Sequence, residues 1–180
     1  MNDLRRTLTL LEQKQQLELD PLQYGLDDLD PVWSRESLNF HYNKLARGYV
    51  KRYNAGEGDP DFNEAGAYLH NVLFAQFQEP KSGNRPTGSS LALIESKWDN
   101  WDNFKKEFLR EAMTIQGSGW VYMSRSGDIK LIKNHQIRRD IALLVDWWEH
   151  AFYTDYGPDK PAYLNNVWRI IDWSVVNSRL

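Results

Sequence analysis

The chain contains no cysteine, which excludes disulfides, thiolate metal sites and a cysteine nucleophile. Any metal it holds must therefore sit on nitrogen and oxygen donors. No uninterrupted apolar run approaches the ~20 residues that span a bilayer, and residues 1–18 are too polar for a secretory signal peptide. The formal net charge is only −3, so there is no broad basic footprint for nucleic acid. Internal repeats and low-complexity tracts are missing too. Histidine is scarce, with His41, His70, His135 and His150 the full set. The expectation is a cytoplasmic protein with neither a membrane nor a nucleic-acid partner.

Aromatic residues make up 13% of the chain, eight of them Trp, which fits a densely packed core rather than a disordered chain. At 180 residues that core belongs to one domain or to two small lobes. Residues 1–18 place Leu4, Leu8 and Leu11 at helical spacing. They read as a short amphipathic helix that docks on the body or on a partner, or as a frayed tail. Pro21, Gly25 and Pro31 then break up an extended lead-in. Ser34 is a good N-cap, with Ser37 a competing start, for a helix running to about Asn54. A second helix covers about Asp61 to Gln78.

The stretch "EPKSGNRPTGSS", residues 79–90, is the strongest linker signal and divides the chain in two. Helices are predicted near 89–97 and from Asn100 to Ile115, the latter with an aromatic face of Trp101, Phe104 and Phe108. "WVYMSRSGDIKLIKN" turns at Ser-Gly-Asp and reads as a β-hairpin, "IALLVD" as a buried third strand, and "KPAYLNNVWRIIDW" as helical after Pro161. The fold class is α+β: an N-terminal antiparallel helical hairpin, then an α/β lobe with a small three-stranded antiparallel sheet surrounded by helices. The divisions are 1–18 as an extension, 19–85 as the hairpin lobe and 86–180 as the α/β lobe.

The stretch "LLVDWWEH" raises a chemical question. Asp146 and His150 lie four residues apart inside an apolar, Trp-rich segment. Burying a carboxylate and an imidazole unpaired is costly, and either a metal ion or an Asp–His hydrogen bond compensates. His41 lies midway along the first long helix and His70 midway along the second, so an antiparallel hairpin brings them face to face. Three imidazoles and one carboxylate suit a redox-active first-row metal or zinc. Hydrogen-bonded core histidines are the alternative reading.

Over residues 19–180 the chain resembles the iron/manganese superoxide dismutases. "DWWEHAFYTDY…KPAYLNNVW…DW" is similar to the family's D-x-W-E-H-A-(Y/F)-Y-x-D-Y signature followed by R-P-x-Y-L-x-x-x-W and N-W. "GSGW" at 117–120, "PTG" at 86–88 and "FHYNKLARGYV" match further segments in order. The resemblance implies that His41, His70, Asp146 and His150 hold one ion per subunit, with a solvent molecule as fifth ligand. The implied activity converts superoxide to dioxygen and hydrogen peroxide.

The resemblance also assigns the surroundings. Tyr49 matches the tyrosine that gates entry and relays protons. Gln136 matches the glutamine that manganese members aim at the bound solvent, and Gly66 stands where iron members carry theirs, so manganese is favoured over iron. Trp120 and Trp148 form the apolar wall around the ligands. Glu149 and Tyr153 belong to the two-fold interface of a homodimer, with a tetramer as a further option, and Glu149 would reach the partner's His150. Lys44 matches a lysine that steers superoxide.

Some positions depart from the family. Leu45 and Ala46 replace a His-His pair and remove one group of the proton relay. "AYLHNVLF" is less aromatic than the usual segment around the second ligand, and Lys160 replaces an arginine, losing a bidentate donor. These departures and the N-terminal extension leave a second reading, a superoxide-dismutase-like structural or assembly protein with weak or no catalysis. Zinc-dependent hydrolysis lacks a general base beside the metal.

Overall fold

The computed structural model describes residues 16–180; most of the amphipathic helix expected over 1–18 lies outside the described residues. Residues 16–24 run without regular structure across the first helices. Asn54 and Leu17 exchange hydrogen bonds of 2.8 and 2.9 Å, and Asn71 bonds both Asp20 N–H and Glu18 C=O at 3.0 Å. These two asparagines clip the lead-in onto the hairpin.

Helix α1 (Arg35–Asn39) starts where Ser34 Oγ accepts the Ser37 N–H at 3.2 Å, so Ser34 is the cap. The chain then widens into a π-helical segment, Phe40–Ala46, before continuing as α2 (Arg47–Ala55). The extra residue moves the buried face on by one position. His41, Tyr42, Ala46 and Tyr49 are buried, and Leu45 is only half-buried. A uniform 3.6-residue period would have put Leu45 inward under His41.

Helix α3 (Pro60–Phe74) is capped by Asp59, whose Oδ1 accepts the Phe62 N–H at 2.9 Å, with Pro60 at its first position. It is shorter than expected. Gln76 bonds to a β-strand instead of continuing the helix, and Phe77 makes an isolated antiparallel bridge to Ile171. Packed antiparallel, α2 and α3 form the N-terminal hairpin.

Helices α4 (Gly88–Trp98) and α5 (Trp101–Met113) precede strands β1 (Gly119–Ser124), β2 (Ile129–Lys133) and β3 (Ile141–Asp146). The sheet is antiparallel in the order β2-β1-β3. Every residue of β1 and β3 is buried, because helices cover both faces; only β2 retains exposed positions. Helix α5 lies on β1 and β2, while α3 and α8 lie on β3. Three further helices follow: α6 (Glu149–Tyr156), α7 (Lys160–Val167) and, after a 3₁₀ turn, α8 (Trp173–Arg179). The short α6 carries no strong periodic signal.

Trp33, Trp120, Trp147, Tyr122 and Tyr163 are among the largest fully buried side chains. Trp33 stacks on Tyr163 with ring centroids 6.4 Å apart, joining the lead-in to α7. The register of β1 sets Trp120 opposite Asp146, so the sheet delivers an indole and a carboxylate to one place.

Gly119 opens β1 where a Cβ would lie 2.6 Å from the carbonyl oxygen of Ile132, and backbone cannot swing aside. Gly119→Ala is expected to lower unfolding free energy by about 1–3 kcal/mol in urea denaturation, the usual cost of overpacking. Wild-type stability in this variant would show that the β1–β2 contact is looser than described.

Candidate metal centre

Four side chains from four elements converge. The π-helical segment supplies His41, α3 supplies His70, the end of β3 supplies Asp146, and the first turn of α6 supplies His150. One donor atom from each lies within 4.8 Å of all the others. Asp146 Oδ2 is 3.1 Å from His41 Nε2, 3.2 Å from His150 Nε2 and 3.9 Å from His70 Nε2. His41 Nε2 and His70 Nε2 are 3.1 Å apart. Two donors bound at right angles about 2.1 Å from one ion would sit about 3 Å apart, so the cluster has the dimensions of a first-row metal site.

Proton accounting points the same way. His70 Nδ1 is 2.6 Å from the Gly66 carbonyl oxygen, which can only accept, so the ring proton is on Nδ1 and the Nε2 lone pair faces the cluster. Asp146 spends Oδ1 on the Trp148 N–H at 2.8 Å and its backbone oxygen on the Tyr163 hydroxyl at 3.1 Å, leaving Oδ2 for the centre. His41, His70 and Asp146 are fully buried and His150 nearly so. An ion of positive charge satisfies all four converging donors together, and the residues fit one.

The electrostatics favour neutral imidazoles. Burial lowers the pKa of His41 to about 4, against the pull of Asp146, and lowers that of His70 well below the usual range. For Asp146 burial pushes upward, but His150 and His41 outweigh it and hold the carboxyl well below the usual carboxylate range. Neutral imidazole and ionised carboxylate are the forms that bind a metal.

Tyr49 borders the cluster, its ring centroid 5.4 Å from that of His70. Burial first, then Asp146, raises its pKa to about 12, with Arg52 opposing, so its hydroxyl keeps its proton at neutral pH. The Arg52 guanidinium lies 4.9 Å over the Tyr49 ring and is held by Asn63 at 3.1 Å. Gly66 is required by the other face: a Cβ there would lie 2.8 Å from the Tyr49 ring.

The other expected residues divide. Trp120 is fully buried and Trp148 half-buried against the site. Gln136 faces outward, its Oε1 accepting from Arg138 at 2.6 Å. Its neighbour His135 takes the inner position, stacked on Trp148 with centroids 4.5 Å apart and 4.8 Å from the Tyr49 ring. The Trp120 indole N–H donates to His135 Nδ1 at 3.2 Å, so the His135 proton is on Nε2, a buried atom with no protein partner among the described residues. Sequence reasoning left His135 over. The signal was its place one residue before Gln136, in a loop whose register no periodicity fixes.

Lys44 is exposed beside a surface cleft lined by Glu36, Asn39, Phe40 and Thr154. Glu149 is exposed and shares a cleft with His150 and Lys160, and Tyr153 is 60% exposed. Lys160 places its ammonium over the Trp147 ring, 5.7 Å from the centroid, as a point charge on the aromatic face.

Burial also lowers the pKa of His135 to about 4. Folded His41 and His135 thus stay neutral where unfolded histidine, near 6.5, takes up protons. Their contribution to stability is complete above pH 6.5 and is lost as pH falls toward about 4. Metal-stripped protein is expected to show a thermal midpoint that drops steadily across this window. A flat midpoint would mean that these imidazoles are not buried in their neutral forms.

Residues 16–67 match the α-hairpin domain of iron/manganese superoxide dismutases, and residues 86–179 match the C-terminal domain. The superoxide dismutase [Fe] of Bacteroides fragilis is 33% identical, over 91% of this chain and 98% of its own. The superoxide dismutase [Mn/Fe] of Porphyromonas gingivalis is also 33% identical, over 90% and 98%. The superoxide dismutase [Fe] of Saccharolobus solfataricus is 29% identical over 96% and 97%. With both domain models in order on a chain that gathers these four donors, the protein belongs to the iron/manganese superoxide dismutase family.

Proposed function

We propose that the protein is a superoxide dismutase, with His41, His70, Asp146 and His150 holding one manganese or iron ion. The observation that carries this reading is the convergence of three imidazole nitrogens and one carboxylate oxygen within 4.8 Å. A bound ion would supply reversible one-electron redox chemistry, accepting an electron from one superoxide and returning it to a second. The net change is two superoxide and two protons to one dioxygen and one hydrogen peroxide.

The protein's own part is charge and proton control. The Asp146 carboxylate offsets part of the ion's charge, and the fully buried Trp120 helps keep bulk water from the ligands. Tyr49 retains its hydroxyl proton at neutral pH and borders His70, which suits it to donate a proton to departing peroxide. Because Gly66 leaves no side chain on α3, a donor toward the exchangeable ligand comes from the C-terminal lobe. His135 Nε2 fills this role in place of Gln136. Manganese is favoured on that ground, since the donor's position tunes the redox potential.

Glu149, Tyr153 and Phe40, all exposed, give a face for a second copy, with Glu149 directed at the partner's His150. Exposed Lys44 steers the anion. The scaffold alternative rests on Leu45, which cannot relay a proton, and on the N-terminal extension as a docking segment.

Metal analysis followed by superoxide-decay kinetics tests the assignment. Purified protein is expected to carry close to one manganese or iron per chain and to accelerate decay. Asp146→Ala is expected to lose more metal affinity than the roughly 10–100-fold typical of outer partners. His135→Leu is expected to keep its metal but lose roughly 10–100-fold in turnover, with His135→Gln recovering part. Metal-loaded protein without turnover would support the scaffold instead.

A further inference from the structure

The helix that presents His70 and the strand that presents Asp146 are tied together by a polar junction outside the ligand cluster. Gln76 is fully buried just past the end of α3. Its Oε1 accepts the Leu144 N–H at 3.1 Å, and its Nε2 donates to the Leu144 carbonyl. These are the two bonds a neighbouring strand would make, and β3 is an edge of the sheet. One glutamine thus stands in for a missing strand, two residues before Asp146.

Arg179, in the last turn of α8, closes the same junction. Its Nη1 donates to Gln76 Oε1 at 3.1 Å and to the Ala142 carbonyl at 3.2 Å, and its Nη2 donates to the Val72 carbonyl at 2.7 Å. Val72 lies two residues past His70 on α3, and Ala142 lies on β3. No carboxylate pairs with Arg179 among the described residues. Its partners are amide and carbonyl oxygens, including one from the C-terminal turn of α3, where the helix dipole favours a cation. The planar guanidinium spans helix and strand at once, which a lysine ammonium cannot do with the same geometry.

We propose that Gln76 and Arg179 form a positioning clamp that fixes α3 against β3, and so sets the separation of His70 from Asp146 at the ion. The clamp rests on the metal assignment above and adds a structural control of metal retention by Gln76 and Arg179, outside the ligand cluster. Neither side chain touches the ion. Both act through the main chain of the elements that carry two of its ligands. Binding the ion and closing the clamp then favour each other, and the coupling is reciprocal.

The test uses full-length protein loaded with Co(II), whose visible bands report ligand geometry, alongside competition measurements of Mn(II) affinity. Arg179→Met and Gln76→Leu are expected to shift the Co(II) bands and weaken Mn(II) binding about tenfold or more. Arg179→Lys is expected to recover part of the loss. Parent-like bands and affinity in folded variants would overturn the clamp while leaving the dismutase assignment standing.

A second measurement needs no variant. In parent protein loaded with diamagnetic Zn(II) as a probe, removing the ion is expected to speed amide hydrogen exchange at Leu144 and to shift the Arg179 guanidinium resonances. No change at either position would overturn the clamp. Failure of the parent to bind any of these ions would overturn both the clamp and the metal assignment.

Discussion

A carboxylate with no access to water, facing three imidazoles, is the constraint on which the rest of this structure depends. Asp146 is fully buried at the end of β3, and its Oδ2 points at His41, His70 and His150. Left alone, such a group would cost several kcal/mol. The fold fixes the carboxylate with the Trp148 N–H and the residue's backbone carbonyl with the Tyr163 hydroxyl, and leaves one carboxylate oxygen for the centre. Because the ligands come from both the helical hairpin and the α/β part, an ion there would join the two. The aromatic core around Trp33, Trp120 and Tyr163 makes the packing rigid enough to hold such a set.

Much of this was legible in the sequence because it rests on local chemistry. Ser34 and Asp59 cap the helices that present His41 and His70, and the turn around Gly127 joins β1 to β2. The four candidate donors were readable too, though through the family resemblance, since composition and spacing alone left hydrogen-bonded core histidines as the alternative. What was not legible depends on tertiary context. The π-helical segment at Phe40–Ala46 shifts the inward face by one residue, and a uniform helical period cannot reveal that. The end of α3 depends on Gln76 finding Leu144, which lies 68 residues away. The loop after β2 has no repeat to set its register, so Gln136 and His135 could not be told apart until the ring of Trp148 supplied a stacking partner for His135.

Packing is tight at Gly66. The Tyr49 ring sits so close to this position that any side chain would force it aside. A side chain on α3 at this position is therefore incompatible with Tyr49 where it stands, and in the proposed function the donor role falls to His135 instead. Trp120 then selects the His135 tautomer that keeps its proton on the unpartnered nitrogen. The missing side chain at Gly66 thus leaves room for the Tyr49 ring beside His70. Leu45 has the opposite character: the wider turn leaves it half-buried, so losing the usual histidine there does not disturb the four ligands.

Anomalous X-ray diffraction at the manganese and iron edges, from crystals of metal-loaded protein, tests the central assignment most directly. The predicted result is one strong peak per chain within about 2.0–2.3 Å of His41, His70 and His150 Nε2 and Asp146 Oδ2. A peak elsewhere, or these four side chains held by hydrogen bonds around no ion in metal-saturated crystals, would contradict it.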